Sequence, residues 1–126
     1  MRIFKTKWFT RYAAKTDIDD ESLVEAVERA NSGLVDAKLG GNVIKLRIPR
    51  KGQGRSSGYR TLIAYHKNKR AIFLYGFAKN ERENIDDIQL ESLKEMALAW
   101  LKLEEKKINS SLNEGLLQEV IYDKKT

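Results

Sequence analysis

"VIKLRIPRKGQGRSSGYRTLIAYHKNKRAIFLYGFA", Val43 to Ala78, holds three strand patterns in succession, and its reading decides the fold. In its first part Ile44, Leu46 and Ile48 alternate with Val43, Lys45 and Arg47. That period of two marks a half-buried strand whose other face is cationic. "YRTLIAYH" and "RAIFLYGFA" are two further strands, rich in β-branched and aromatic residues. Lys67-Asn68 between them suits a tight hairpin, since asparagine tolerates the positive φ that such turns require. Strands joined this closely pair antiparallel, so the stretch predicts a three-stranded meander.

On the N-terminal side "RIFK" reads as a short strand, and Trp8 to Lys15 as a short helix with Trp8, Phe9 and Tyr12 at helical spacing. Rings so spaced serve a core more often than a ligand. "DIDDESLVEAVERANSG" has a helix start at Asp19 or Asp20, an apolar stripe of Leu23, Val24, Val27 and Ala30, and a stop at Gly33. On the C-terminal side "DDIQLESLKEMALAWLKLEEKK" opens on an Asp86 cap with Gln89 three residues later. Leu90, Leu93, Ala97 and Trp100 share one face, which predicts the longest helix of the chain. After Asn109-Ser110-Ser111 the run Val120 to Tyr122 is β-prone, an added edge strand, a flexible tail or a partner-binding segment. The expected class is α+β: N-terminal helices on a mostly antiparallel sheet, a long C-terminal helix, one domain over 1–107 and an extension over 108–126.

Composition agrees with one globular domain. At 126 residues a chain forms a single core, burying about 68% of its unfolded surface. No apolar run approaches the roughly 20 residues that span a bilayer, and the N-terminus lacks the pattern of a secretory signal, so a cytoplasmic location without membrane contact is expected. With no cysteine the fold cannot rest on disulfides, and a thiol nucleophile is excluded. The single histidine, His66, makes a zinc site of the usual kind improbable; neither metal nor cofactor is expected. Between Lys45 and Arg82 there are eleven Lys or Arg against one acid, Glu81. That segment carries more positive charge than the whole chain's +6, so the remainder is net acidic. Scattered charges usually mean only a solvated surface, whereas segregation on this scale favours a polyanion, most commonly nucleic acid.

The loop "KGQGRSSGYR", Lys51 to Arg60, fits neither phosphate-binding glycine pattern and lies between two strands rather than before a helix. Ser56 and Ser57 have no histidine at hand to serve as a base, because His66 is at the far end of the following strand. As a loop it needs only flexible glycines and locally bonded serines. Its cations are another matter: they repel one another unless an anion arrives. Lys45 and Arg47 on the preceding strand and Arg60 on the next flank the same surface.

These residues carry a resemblance. "KLR" and "SSGYR", followed by an apolar hairpin partner and "FAKNER", are similar to the pattern of the RelE/ParE superfamily of toxins from bacterial type II toxin–antitoxin modules. "GGNVIKLRIPRKGQGRSSGYRTLIAYHKNKRAIFLYGFAKNERENI" resembles its longer-loop branch, whose members are described as RelE- or HigB-type toxins. The resemblance runs from about Arg2 to Leu103. It implies a small RelE-like α+β domain, a cognate antitoxin, in this branch of helix-turn-helix type, and entry into the ribosome to cut mRNA.

Metal-free RNA cleavage uses the substrate's own 2′-hydroxyl as nucleophile. The protein then has to accept that proton, stabilise the extra charge on phosphorus and protonate the leaving oxygen. Clustered cations supply the charge stabilisation, and crowding among like charges eases proton exchange by a lysine. The resemblance assigns Lys45 to proton transfer and Arg60 to the scissile phosphate. Lys79 and Arg82 complete the expected catalytic set, with Arg47, Arg50, Lys51, Arg55, Tyr65 and His66 as RNA-binding residues. The sequence departs from RelE at Val43, where a second lysine is expected, at Asn80 in place of an arginine, and at Asp86 in place of a tyrosine. Two other readings stand beside the endoribonuclease: a toxin of the same fold that blocks DNA gyrase, and a non-catalytic module that binds RNA or antitoxin.

Overall fold

The computed structural model describes residues 1–50, 58–79 and 85–121. The first strand, β1 (Arg2–Thr6), runs directly into α1 (Lys7–Thr16), because the Thr6 hydroxyl accepts from the Phe9 amide and caps the helix. Asp17 then adopts a left-handed conformation, and Asp19 caps α2 (Asp20–Asn31) by accepting from the Ser22 amide. The meander follows as the alternation requires: β3 (Val43–Ile48), β4 (Tyr59–His66) and β5 (Arg70–Ala78) pair antiparallel in chain order. Asn68, between β4 and β5, has φ +60.

Two elements differ from the sequence expectation. Ala37–Gly40 forms a separate strand, β2, paired antiparallel with β3. Gly40, Gly41 and Asn42 take φ values of +86, +61 and +63, so Gly41-Asn42 is the tight turn that joins β2 to β3. The expected long C-terminal helix is two helices, α3 (Asp87–Lys102) and α4 (Glu105–Asn113). α3 remains the longest of the described helices, and Asp86 caps it as expected. Its end is fixed from outside, since Nη1 of Arg70 donates to the carbonyls of Trp100 (2.9 Å) and Leu103 (2.7 Å). Asn109 to Ser111 lie within α4, where the Ser110 and Ser111 hydroxyls donate back to the carbonyls of Lys106 and Lys107. An edge strand does follow, as β6 (Leu117–Glu119); Tyr122, which closes the β-prone run, lies outside the described residues.

Together the described strands make one six-stranded sheet in the order β2-β3-β4-β5-β1-β6. Among the described residues only β1 with β5 pairs in parallel. α1 and α2 cover one face, with Phe9, Leu23 and Val27 packed on Leu46, Ile63 and Phe73. α3 and α4 cover the other, with Leu93, Ala97 and Ile108 against Val43, Leu62, Ala64 and Ile72. Ion pairs pin the last elements: Arg2 donates to both carboxylate oxygens of Glu119 (2.8 Å each) and to Glu105 (2.7 Å), which also receives Arg70 (3.1 Å). None of the described helices is long and apolar enough to cross a membrane.

Candidate functional site

The pleat places Val43, Lys45 and Arg47 on the face that carries α3. Lys45 stands opposite Leu62 and Arg47 opposite Arg60, while Arg60 in turn faces Phe77 on β5. Cross-strand neighbours of this kind hold their Cβ atoms about 5 Å apart, and diagonal ones about 7–8 Å. Lys45, Arg47 and Arg60 therefore form one compact cationic triangle. Along the strands the face changes character, from apolar at Val43 and Ala64 under α3 to cationic at Arg47 and Arg60. Lys79 follows β5 at the same end, beside the Tyr59–Ala78 pair, and is exposed.

Arg60 is only 6% exposed, and its Nη1 donates to the Gly58 carbonyl at 3.3 Å. Lys45 and Arg47 are half-buried. Among the described residues Nε of Arg47 is buried without a hydrogen-bond partner. A planar guanidinium with a spare buried donor is suited to a bidentate oxyanion.

The backbone of this site is held by residues that sequence reasoning missed. Oδ2 of Asp36 accepts from the Arg47 amide at 2.8 Å, and Nη2 of Arg29, in the last turn of α2, donates to the Arg47 carbonyl at 2.7 Å. Thr61 donates through Oγ1 to the Leu46 carbonyl at 2.8 Å. Both polar groups of Arg47's main chain are thus satisfied by side chains where β2 no longer runs alongside β3. Nothing in the local sequence announces such contacts, because they join residues 11 and 18 positions apart.

Other expected site residues lie apart. Arg50 projects on the opposite face, its Cζ 5.0 Å from the centroid of the Tyr59 ring. Tyr65 and His66 end β4, about 17–20 Å along the strand from Arg60. The Tyr65 hydroxyl donates to Oδ1 of Asn31 at 2.6 Å, and burial pushes its pKa up. His66 borders an open cavity of about 570 Å³ with Lys38, Asn42 and Lys67. Lys51, Arg55, Arg82 and the departure at Asn80 lie outside the described residues. Arg70, one of the cations counted above, is tied to α3 and Glu105.

The two remaining departures from the RelE pattern have structural tasks. Val43 is buried in the core with Leu62 and Leu93, and Oδ1 of Asp86 accepts from the Gln89 amide at 2.8 Å to cap α3. No curated protein matches this chain. A family model described as the RelE toxin of the RelE/RelB toxin–antitoxin system matches residues 1–120. That span takes in every strand and helix described above together with Lys45, Arg47, Arg60 and Lys79, so the chain belongs to the RelE toxin family.

Proposed function

We propose that this toxin inhibits translation by cutting mRNA on the ribosome, with the RNA 2′-hydroxyl as nucleophile and no metal or cofactor. The observation that carries the reading is the facing of Arg47 and Arg60, with Lys45 beside them. A phosphate lying across the two facing guanidiniums accepts charge-assisted hydrogen bonds from both. As the 2′-oxygen attacks, charge accumulates on the phosphorane oxygens, and two preorganised guanidiniums stabilise it more than they stabilise the ground state. Lys45 exchanges protons with the reacting oxygens, and Lys79 with Arg82 supplies further positive charge. The ribosome and mRNA are the targets, in the cytoplasm, and a cognate antitoxin of helix-turn-helix type neutralises the protein.

One observation favours a second reading, a non-catalytic RNA- or antitoxin-binding module: the positions of RelE's second lysine and late tyrosine are used by Val43 for the core and by Asp86 for a cap. Toeprinting and primer extension on programmed ribosomes separate the two. Wild-type protein is expected to generate new mRNA ends in the A-site codon, and Arg60→Ala and Lys45→Ala to abolish them with circular dichroism unchanged. Ribosome stalling without new ends supports the module. Growth inhibition with intact mRNA and poisoned gyrase supports the gyrase-directed branch.

A further inference from the structure

Two cations of the triangle, Lys45 and Arg47, are on β3, and both turn their peptide groups away from β4. Alternate residues of an antiparallel strand bond to opposite neighbours, so Arg47 and Arg60 are a non-hydrogen-bonded pair, the kind whose side chains come closest. The outward groups of such a strand are ordinarily met by the next strand. Pairing of β2 with β3 stops at Ala37–Lys45, because the chain before Ala37 turns off to reach the end of α2. One short connection, Arg29 to Asp36, supplies the partners instead. The Asp36 amide donates to the Lys45 carbonyl at 3.2 Å, and the Asp36 carboxylate takes the Arg47 amide in place of a strand carbonyl. The Arg29 guanidinium takes the Arg47 carbonyl in place of a strand amide.

The connection is itself anchored. The Arg29 carbonyl accepts from the amides of Ser32 (3.1 Å) and Leu34 (2.8 Å), and Gly33 between them turns the chain with φ +89. Val35, next to Asp36, packs on the core beneath α1 and α2. The clasp is thus fixed to the layer opposite the cationic face. A strand edge bonded only to water at this point would leave the Arg47 main chain loose, and its long side chain would amplify each small rotation at the guanidinium.

We propose that Arg29 and Asp36 are positioning residues for the cleavage reaction: they continue the ladder that β2 abandons, and so fix the Arg47 guanidinium against Arg60 with Lys45 in register beside it. The inference rests on the RNA-cleaving reading of the triangle and assigns part of its rate to side chains outside it. Reacting groups have to be held within about 0.5 Å, and a misplacement of about 1 Å costs on the order of 100-fold in rate.

Single-turnover cleavage on programmed ribosomes tests this. Asp36→Ala, altered at an exposed position, is expected to lower the rate constant at saturating ribosomes at least about tenfold, with the half-saturating concentration within about twofold of wild type. Asp36→Asn keeps an acceptor oxygen and is expected to restore the rate. In an Arg47→Ala background Asp36→Ala is expected to add nothing, whereas a general structural defect would slow both backgrounds alike. Equal slowing of the two backgrounds, an inactive Asp36→Asn or a fully active Asp36→Ala overturns the proposal. NMR relaxation of the Arg47 Nε–H group gives a readout free of cleavage. Its order parameter is expected to fall in Asp36→Ala and recover in Asp36→Asn, with the main-chain amide spectrum retained. An Arg47 side chain as rigid in Asp36→Ala as in wild type overturns the positioning role even where cleavage falls. Wild-type protein that cuts no mRNA removes the catalytic reading alone, and the order parameter still decides whether the clasp fixes Arg47.

Discussion

Arg47 and Arg60 face each other across β3 and β4, at the cationic end of a sheet face that is apolar under α3. Arg47→Gln is expected to lower ribosomal mRNA cleavage at least about tenfold, the equivalent of roughly 1.4 kcal/mol of transition-state stabilisation. Primer extension measures the loss, and urea unfolding on the same preparation shows that the variant is folded. Full cleavage by a folded variant would refute the role of this pair.

Gly58 is irreplaceable for a reason unrelated to φ. A Cβ there would lie 2.0 Å from the Ile48 carbonyl oxygen and 2.8 Å from Cα of Pro49, both backbone atoms. Gly58→Ala therefore forces β3 and β4 apart, at about 1–3 kcal/mol by analogy with overpacked cores. Because the Gly58 carbonyl accepts from Arg60, cleavage is expected to fall along with the melting temperature. A fully active variant of normal stability would refute this account of the strand junction.

Lys5 and Asp20 form a largely buried pair at 2.8 Å, and Asp20 also accepts from the Ile121 amide at 3.1 Å. Removing one partner leaves a charge stranded, which costs about 3–5 kcal/mol when both are fully buried. Asp20 is 31% exposed, so Asp20→Ala is expected to cost less, about 2 kcal/mol after that discount. Lys5→Met should be nearly neutral, and Lys5→Met combined with Asp20→Ala should be more stable than Asp20→Ala alone. The four-member mutant cycle, read by chemical denaturation, decides it.

Hydrogen bonds from Arg2 hold the carboxyls of Glu119 and Glu105 below their ordinary value of 4.5. In the window between the lowered folded pKa and that ordinary value the unfolded chain binds more protons, so stability rises with pH. The contribution is complete above about 4.5 and is lost as pH falls through the folded pKa. Glu119→Gln is expected to flatten this acid limb and leave the shape of the curve above pH 5 unchanged. An acid limb as steep as wild type would locate the titration elsewhere.

The meander was legible because its signals are local: alternation in β3, apolar runs in β4 and β5, and Asn68 at the one turn position that needs positive φ. The cationic triangle followed from the same alternation, since period-two placement puts Lys45 and Arg47 on one face. What escaped was set at a distance. No Gly or Pro marks the end of α3; Arg70, some thirty residues earlier in the chain, takes the carbonyls that would have continued it. β2 is only four residues long and does not announce itself by periodicity, although the consecutive Gly-Gly-Asn that follows its Leu39 is a turn signal. Counting cations along the sequence also overstated the charged surface, as Arg70 is structural and Arg50 belongs to the other face.

The clasp between Arg2 and Glu119 joins residues 117 positions apart, and β1 inserts between β5 and β6. Closing so long a loop is entropically slow, whereas β3, β4 and β5 meet through near neighbours. Folding is thus expected to begin in the meander, to continue with parallel docking of β1, and to finish when β6 zips onto it. Native-state hydrogen exchange should run this order backwards, with the Val120 amide, bonded to Ile3, opening well before those of β4 and β5. The protein would then possess its cationic face before its last strand is in place.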